Sequence, residues 1–408
     1  MPPRRVVITG VGIISSLGVT LEENWAALRE GRSGISPVQG VDFHNLTLRF
    51  ANGAQVRAFD PTKHFEPGKE DYIDRFAQFS VVAARDAMRD SGLDLTPQLR
   101  ERSAIVCGSA VGGQAAIEVG FEDLYVTDRG RVHPLTIPKT MSNAGASHIS
   151  MDLKLSGPTY TVSTACSSAN HAIGQAFRIV RDGDANVAVT GGSEAMFTIG
   201  MLKAWEAMRV ISPDTCRPFS KDRRGMILGE GGAMMILEPL EAAKARGARI
   251  YAEICGSGMS SDANHLTQPT VEGPARAMRD ALAMASLAPE QVGYINAHGT
   301  GTPGNDPVET RAIRAVFGTH ADKLAVSSTK SMHGHALGAA GAIEAVATIL
   351  ALREGILPPT ANFTVADPEC DLDYIPNQAR KQQVEAALSN SFAFGGLNAV
   401  LAFRAYRG

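Results

Sequence analysis

The residues whose types could do chemistry are one cysteine and two histidines far apart in the chain. Cys166 lies in the run VSTACSS, His298 opens the run HGTGT, and His335 closes the run KSMHGH. A thiol is a nucleophile that forms thioesters, and a neutral imidazole can donate to a thioester carbonyl and stabilise an enolate. Together these residue types predict acyl transfer through a thioester on Cys166.

The position of Cys166 supports this interpretation. Residues 160–163 favour an extended strand, and the apolar residues that follow recur at helical spacing: Ala169, Ala172, Ile173, Ala176, Phe177 and Val180. A helix N-terminus favours thiolate over thiol, so we expect a lowered pKa for the Cys166 thiol and backbone amides that can bind an oxyanion. The alternative is a small buried cysteine without chemistry, which is a common role for this residue.

Each histidine also has a structural interpretation, in which backbone groups satisfy the imidazole in a packed interior. Both His298 and His335 stand in glycine-flanked turns at equivalent ends of repeated elements, which favours a shared pocket. His333 and His335 form a His-x-His pair, but no Cys/His/Asp set completes a coordination sphere, so we expect no metal site.

The chain contains an internal duplication. Residues 5–16, RVVITGVGIISS, are echoed by residues 251–261, YAEICGSGMSS. Neither copy has the third glycine of a dinucleotide-binding motif, so we exclude nucleotide binding. The later elements also pair between the halves: 84–90 with 276–282, 104–108 with 292–299, 161–166 with 325–330, and 186–192 with 387–396. Alternating strands and helices predict two α/β halves, residues 1–249 and 250–408, with largely parallel sheets stacked through shared central helices.

One of these central helices carries a carboxylate. Residues 336–352 are apolar nearly all round apart from Glu344 and Thr348. An isolated buried carboxylate is costly, so Glu344 needs a partner: Lys330, a bound cation, or backbone amides near residues 389–390. A catalytic role and a fold-holding ion pair both remain open for Glu344.

A glycine-rich segment near the C-terminus could act as a gate. Residues 390–398, NSFAFGGLN, combine two phenylalanines with Gly395 and Gly396. We expect the segment to follow a strand as a mobile loop, with the Phe394 side chain gating the thiol and the Phe394 amide completing the oxyanion hole. The alternative is a strand end packed by two phenylalanines.

Composition limits the class of protein. The 408 residues are 44% hydrophobic and 20% charged, which indicates a globular protein with a large core. The net charge of −3 argues against nucleic-acid binding. Five scattered cysteines without metal-type spacing suit a reducing cytoplasm, and we expect neither a signal peptide nor membrane insertion.

The motifs together resemble the β-ketoacyl-acyl carrier protein synthases of the thiolase superfamily, especially the elongating ketosynthases. The resemblance covers essentially the whole chain and rests on TAC at 164–166, HGTGTP at 298–303 with ND at 305–306, STKSMHGH at 328–335, RPF at 217–219 with GEG at 229–231, and NSFAFGG at 390–396. It implies a five-layer αβαβα thiolase-like fold of two duplicated halves, usually dimeric. It also implies a decarboxylative Claisen condensation without a cofactor, in which phosphopantetheine arrives on the acyl carrier protein.

The resemblance also implies a role for each site residue. Cys166 would take the acyl chain, His298 and His335 would hold the malonyl thioester carbonyl and stabilise the enolate, Lys330 would tune the histidines, and Glu344 would order the site. The implied substrate-binding residues are Thr267, Thr300, Thr302, Val111, Trp205 and Phe392. Arg209 matches a docking arginine for the acidic carrier, and a basic patch there would complement its charge.

The chain departs from the family pattern in several places. Val111 stands where isoleucine is common, Trp205 where phenylalanine is common, Leu397 where threonine is usual, and Ser220 and Arg224 where aspartates are common. Residues 205–210, 214–220 and 367–373 are similar to the specialised ketosynthases of rhizobial nodulation-signal synthesis. This similarity implies a dedicated role with unusual acyl chains.

Three other functions are weighed against this one. A thiolase acting on coenzyme A esters predicts a second cysteine within residues 390–398, and there is none. A non-catalytic chain-length partner in a heterodimer predicts loss of the nucleophile, yet Cys166 is present. A polyketide module predicts an attached carrier or transferase segment, which this sequence lacks.

Overall fold

The computed structural model describes residues 3–41, 46–127 and 129–408. The strands are β1 Val6–Ser15, β2 Ser36–Pro37, β3 Asn52–Gly53, β4 Ser103–Gly108, β5 Thr159–Val162, β6 Val187–Glu194, β7 Gly231–Pro239, β8 Ala252–Ser261, β9 Val292–Asn296, β10 Ala325–Ser327, β11 Ile356–Leu357, β12 Arg380–Lys381, β13 Ala386–Ala393 and β14 Leu397–Arg404. The helices are α1 Leu21–Glu30, α2 Arg75–Ser91, α3 Pro97–Glu101, α4 Gln114–Tyr125, α5 Thr136–Thr140, α6 Ala144–Leu153, α7 Ser168–Asp182, α8 Ile199–Ala207, α9 Leu240–Ala245, α10 Glu272–Ala285, α11 Asp306–Phe317, α12 Lys330–His333 and α13 Ala340–Glu354.

Ten strands form a sheet in the order β10-β9-β13-β14-β8-β1-β7-β6-β4-β5. The seam between the halves is a short antiparallel pairing of β1 with β8, in which Val6 lies opposite Ile254 and Ile8 opposite Ala252. Counted outwards from the seam, the two halves have the same pairing pattern, antiparallel twice and then parallel twice. The duplication predicted from the sequence is therefore confirmed.

The prediction of largely parallel sheets was wrong for half of each copy. β7 runs antiparallel to both β1 and β6, and β14 runs antiparallel to both β8 and β13. The physical reason is clearest at β13 and β14, which form a hairpin. Its turn contains Gly395 and Gly396 with φ of 85° and 68°, a left-handed conformation that glycine adopts without steric cost.

The helices complete the five-layer thiolase-like arrangement. α7 and α13 lie centrally and contact strands of both halves, α2 and α6 cover the N-terminal half from outside, and α10 covers the C-terminal half with α11 packed beside it. Every residue from 340 to 352 is buried, so α13 is enclosed as predicted. Among the residues described, no helix has the length and apolarity needed to cross a bilayer. The boundary between residues 249 and 250 stays a prediction.

Candidate active site

Cys166 lies in the turn that joins β5 to α7. The preceding residue, Ala165, has a φ of 49°, which is uncommon for a residue with a side chain. Two hydrogen bonds of Ser168 hold the turn: its Oγ accepts from the Thr164 amide at 2.9 Å and donates to the Ala165 carbonyl at 2.6 Å. The strained turn, a feature that clusters at functional sites, fixes the sulfur at the start of α7 as the sequence predicted.

The thiol differs from the prediction in its protonation. Cys166 is 7% exposed and packs among apolar side chains that include Met196 and Leu337. Burial raises the pKa of the Cys166 thiol to about 12, against the opposing influence of the Lys330 charge and of the Phe394 and Cys166 amides. The expectation of a lowered pKa was therefore wrong, because loss of hydration outweighs the helix N-terminus. The resting nucleophile is a thiol.

One cavity of about 220 Å³ is lined by all three residues predicted to do the chemistry, Cys166, His298 and His335. The other predicted site residues that line it are Trp205, Arg209, Thr267, Thr300, Thr302, Phe392 and Phe394. Val111 is not among the residues that line this cavity, and its role as a substrate contact stays a prediction. Its side chain instead packs into the apolar cluster that surrounds Cys166, and its amide lies 3.3 Å from Glu194.

The two histidines meet edge to face, with ring centroids 5.4 Å apart and planes at 84°. The Nδ1 atom of His298 lies 3.3 Å from the Nζ atom of Lys330, and the Nδ1 atom of His335 lies 3.2 Å from the amide nitrogen of Leu337. An ammonium and a backbone N–H can only donate, so both Nδ1 atoms accept. Each imidazole therefore carries its proton on Nε2, which makes both rings Nε2–H donors.

Both imidazoles are neutral. Burial and then the Lys330 charge lower the pKa of His298 and of His335 well below 6.5, with a smaller influence of His335 on the first and of His333 on the second. His333, in contrast, has the structural role of a histidine packed in the interior. It is fully buried, does not line the cavity and contacts Thr329 Oγ1 at 3.0 Å. Within the described ranges, no group of three or more His, Cys, Asp or Glu residues could hold a metal ion.

Lys330 joins His298 to the carboxylate of α13. Its Nζ atom forms an ion pair with Glu344 Oε1, and both side chains are completely buried. Burial raises the pKa of Glu344 to about 7, with Lys330 opposing the shift. Of the three partners considered for Glu344, Lys330 is the one that its Oε1 atom contacts. The pair therefore puts Glu344 one residue away from the His298 ring rather than in the cavity.

A residue that the sequence argument missed, Glu309, fixes the His298 loop. Its two carboxylate oxygens accept from the amides of His298 and Gly299, each at 2.8 Å. The side-chain amides of Asn390 and Asn305 donate to the same carboxylate at 3.1 Å and 3.2 Å. The available signal was an acidic residue in the first turn of the helix that follows the HGTGT motif, where carboxylates favour exposed amides.

Glu194, also missed, ties together two loops on the other side of the site. Its carboxylate accepts from the amides of Ala110 and Gly338 at 2.7 Å and 3.0 Å and from the Ser109 hydroxyl at 3.0 Å. Burial raises the pKa of Glu194 to about 7 against these donors. Gly338 follows His335 closely, so Glu194 acts as a positioning residue. The available signal was a glutamate two residues after the predicted strand 186–192.

The predicted gate occupies the tip of the β13–β14 hairpin. The segment 390–398 does not follow a strand as expected: residues 390–393 belong to β13 and residues 397–398 to β14. Phe394 is half-buried, and its ring stacks on Trp205 with centroids 6.1 Å apart and planes at 24°. The Phe394 amide is close enough to the Cys166 sulfur to lower the pKa of the thiol, and its place in an oxyanion hole stays a prediction.

Comparison with known proteins identifies the family and its relatives. The model "Beta-ketoacyl synthase, N-terminal domain" matches residues 3–243, and "Beta-ketoacyl synthase, C-terminal domain" matches residues 251–364. Nodulation protein E of Rhizobium sp. (strain N33) is 50% identical over 401 residues, which cover 98% of this chain and 99% of that protein. The 3-oxoacyl-[acyl-carrier-protein] synthase 2 of Coxiella burnetii is 43% identical over 409 residues, 98% of each chain.

Solved structures agree over nearly the full length. The ishigamide ketosynthase/chain length factor superposes with a TM-score of 0.93 at 38% identity, covering 99% of this chain and 100% of that one. The AntDE:AntF complex, a type II PKS acyl-carrier protein with its ketosynthase bound to the hexaketide, gives a TM-score of 0.90 at 32% identity with the same coverage. The chain therefore belongs to the beta-ketoacyl synthase family and is a condensing acyltransferase.

Proposed function

We propose that this chain is a β-ketoacyl-acyl carrier protein synthase that elongates an acyl chain held on Cys166 by condensation with a malonyl thioester. The observation that carries the proposal is the single cavity in which a buried sulfur faces two neutral imidazoles. Two Nε2–H donors held in place before the reaction can stabilise a developing enolate oxygen while the imidazoles stay neutral.

The reaction runs in two steps. In the first, the Cys166 sulfur attacks the acyl thioester carbonyl, its proton leaves with the carrier thiol, and the carrier's C–S bond breaks. In the second, the malonyl thioester oxygen accepts hydrogen bonds from His298 and His335 while CO2 leaves. The resulting enolate carbon attacks the acyl carbon, the bond to the Cys166 sulfur breaks, and the released thiolate takes up a proton from water to restore the thiol. Lys330 and Glu309 hold the His298 ring and loop in place for this second step.

Substitutions of the nucleophile test the proposal. We expect Cys166→Ala to abolish acyl transfer, and Cys166→Gln to leave malonyl decarboxylation measurable because both histidines remain. Mass spectrometry of the intact protein detects the acyl adduct, and CO2 release reports decarboxylation. Cys255→Ala is the matched control, since this half-buried cysteine does not line the cavity. Complete condensation by Cys166→Ala would rule the scheme out.

The acyl donor in this proposal is an acyl carrier protein. The exposed Arg209 lies at the cavity and suits an acidic partner, and the similar AntDE:AntF ketosynthase is seen with its carrier. The identity to nodulation protein E, 50% against 43% for the synthase 2 relative, supports a specialised acyl chain over the general elongation of fatty acids. Mass spectrometry of the chain trapped on Cys166 after purification tests this assignment.

We further propose a cytoplasmic homodimer. Large apolar side chains on α4 and α5 are strongly exposed, Val119 by 59%, Phe121 by 56% and Ile137 by 63%. Several large apolar side chains exposed on neighbouring helices are typical of an interaction site, and a second copy of the chain is the partner that suits it. Light scattering on the purified protein measures the mass, and a monomer at micromolar concentration contradicts this assignment.

A further inference from the structure

Two arginines are brought together by a short parallel pairing of segments beside the cavity. Ile211 pairs with Met226, the Met226 amide donates to the Val210 carbonyl at 2.9 Å, and the Ser212 amide donates to the Met226 carbonyl at 2.8 Å. Arg209 and Arg224 each precede the paired residue by two positions. In parallel segments, equal offsets lie at the same end of the pairing, so the backbone positions 209 and 224 lie at the same end of it and both side chains reach the cavity.

The two guanidinium groups lack the carboxylates that neutralise nearby arginines. Arg217 pairs with Asp214 at 2.7 Å, and Arg223 pairs with Asp367. Among the described residues, neither Arg209 nor Arg224 forms an ion pair, and both are exposed and line the cavity that contains Cys166. Two adjacent like charges repel each other, so a site of this kind gains when an anion binds between them.

The other polar groups nearby leave this positive charge in place. Asp262 is the only acidic residue among those lining the cavity, and its oxygens accept from Asn398 Nδ2 and from the Thr270 amide, each at 2.8 Å. His265 Nδ1 accepts from the Thr267 amide at 3.1 Å, which leaves its Nε2–H as a donor. The carboxylate of Asp262 is therefore already hydrogen-bonded, and His265 adds a hydrogen-bond donor to the cavity lining.

The backbone at Arg209 is held in an unfavourable conformation. Its φ of 59° lies in the left-handed region, which non-glycine residues rarely adopt. Gly225, next to Arg224, has a φ of 136°. A Cβ atom added to this glycine would lie 2.4 Å from the Val210 carbonyl oxygen. The close approach of the two segments therefore depends on this glycine, and it determines where both arginines stand.

We propose that Arg209 and Arg224 together bind the phosphodiester of a phosphopantetheine arm while its thioester reaches Cys166. The inference rests on the proposed function and adds the group that is recognised at the cavity. A planar guanidinium matches two phosphate oxygens at once, and two guanidinium groups can neutralise the anion from two sides. Arg224, which stands where the family commonly has an aspartate, makes this a property of the present chain.

The test compares two small acyl donors that differ only in the phosphate, acyl-4′-phosphopantetheine and acyl-pantetheine. The second-order rate constant for acylation of Cys166 is measured for each by mass spectrometry of the intact protein. We expect Arg224→Gln and Arg209→Gln each to lower the ratio of the two rate constants, phosphorylated over unphosphorylated, by roughly tenfold. Arg224→Lys keeps the charge but loses the fork, so we expect an intermediate ratio.

Arg311→Gln is the matched control, since Arg311 is exposed on α11, does not line the cavity and forms no ion pair with any described residue. Its ratio should equal that of the wild type. The proposal is overturned if both arginine variants keep the wild-type ratio but lose rate only with the intact acyl carrier protein, because the arginines would then bind carboxylates of the carrier. Failure of the proposed function is distinct: the wild type would acylate Cys166 from no donor.

Discussion

At the scale of single residues, the chemistry of the site depends on burial more than on residue type. A thiol next to a helix N-terminus is usually activated, yet enclosure among apolar side chains raises the pKa of Cys166 to about 12. The same enclosure keeps His298 and His335 neutral. Desolvation therefore makes the sulfur a poor nucleophile towards water-borne reagents and makes the imidazoles good hydrogen-bond donors.

The raised pKa of the thiol predicts slow alkylation of the free enzyme. Below its pKa, the thiolate fraction of a thiol rises tenfold per pH unit, so the rate of iodoacetamide reaction at Cys166 should rise about tenfold per unit between about pH 7 and pH 9. Peptide mass spectrometry after timed quenching measures the rate at this residue alone. A rate that levels off near pH 7 would mean that the helix N-terminus outweighs burial.

The lowered pKa values of the histidines predict that the rate of decarboxylation stays nearly constant as the pH falls. Decarboxylation by Cys166→Gln needs both imidazoles neutral, and a pKa well below 6.5 keeps them neutral as the pH falls through that value. We expect the rate of CO2 release to change by less than about twofold between about pH 8 and pH 6, where an ordinary imidazole loses about three-quarters of its neutral form. A decline with a midpoint near the ordinary value contradicts the assignment of neutral donors.

Residue identity could be predicted from the sequence, but protonation and support could not. Cys166 was singled out by its place before a predicted helix and the two histidines by their glycine-flanked turns, and one cavity brings the three together. The thiol pKa was predicted in the wrong direction, because burial depends on residues such as Met196 that are distant in sequence. Glu309 was missed for the same reason: its bonds to the His298 loop exist only after α11 packs against it.

At the scale of elements, the β13–β14 hairpin places side chains at the cavity that contains Cys166. Its tip carries Phe394, whose amide lowers the pKa of the Cys166 thiol and whose ring stacks on Trp205 of α8. Both side chains line the cavity that contains the sulfur, so we expect an acyl chain bound there to contact this aromatic pair. The hairpin was predicted as a loop after one strand, since a Gly-Gly pair does not reveal that a second strand follows.

This contact predicts an optical signal for gating. The chain has two tryptophans, so Trp25→Phe leaves Trp205 as the sole indole fluorophore. We expect acylation of Cys166 to change Trp205 emission, because displacing the Phe394 ring alters the surroundings of the indole. In Trp25→Phe with Phe394→Ala, the change on acylation should be lost, while mass spectrometry still detects the adduct. An equal change in both backgrounds would mean that Phe394 does not move.

At the scale of the whole molecule, the duplicated halves share one interior. The seam between β1 and β8 is only three residue pairs long, so the sheet alone holds the halves together weakly. The central helices also hold the two halves together, because α7 and α13 each contact strands from both copies. Sequence repeats predicted two similar units with a shared core, and the antiparallel β7 and β14 were missed because no repeat motif was recognised in them.

Gly341 lies where α13, α7 and β13 meet, so it tests whether the halves unfold as one unit. A Cβ on Gly341 would approach Asn170 Oδ1 to 2.4 Å and Ser391 Oγ to 3.0 Å. We expect Gly341→Val to lower the free energy of unfolding by about 1–3 kcal/mol through overpacking, with a single urea transition. Gly304→Val is the matched control, since a Cβ there meets nothing within 4 Å.

In Gly341→Val, hydrogen exchange should rise in β4 and β9 together, because a core shared by both halves cannot be loosened on one side only. Faster exchange in β9 with β4 unaffected would instead mean that the two copies fold independently.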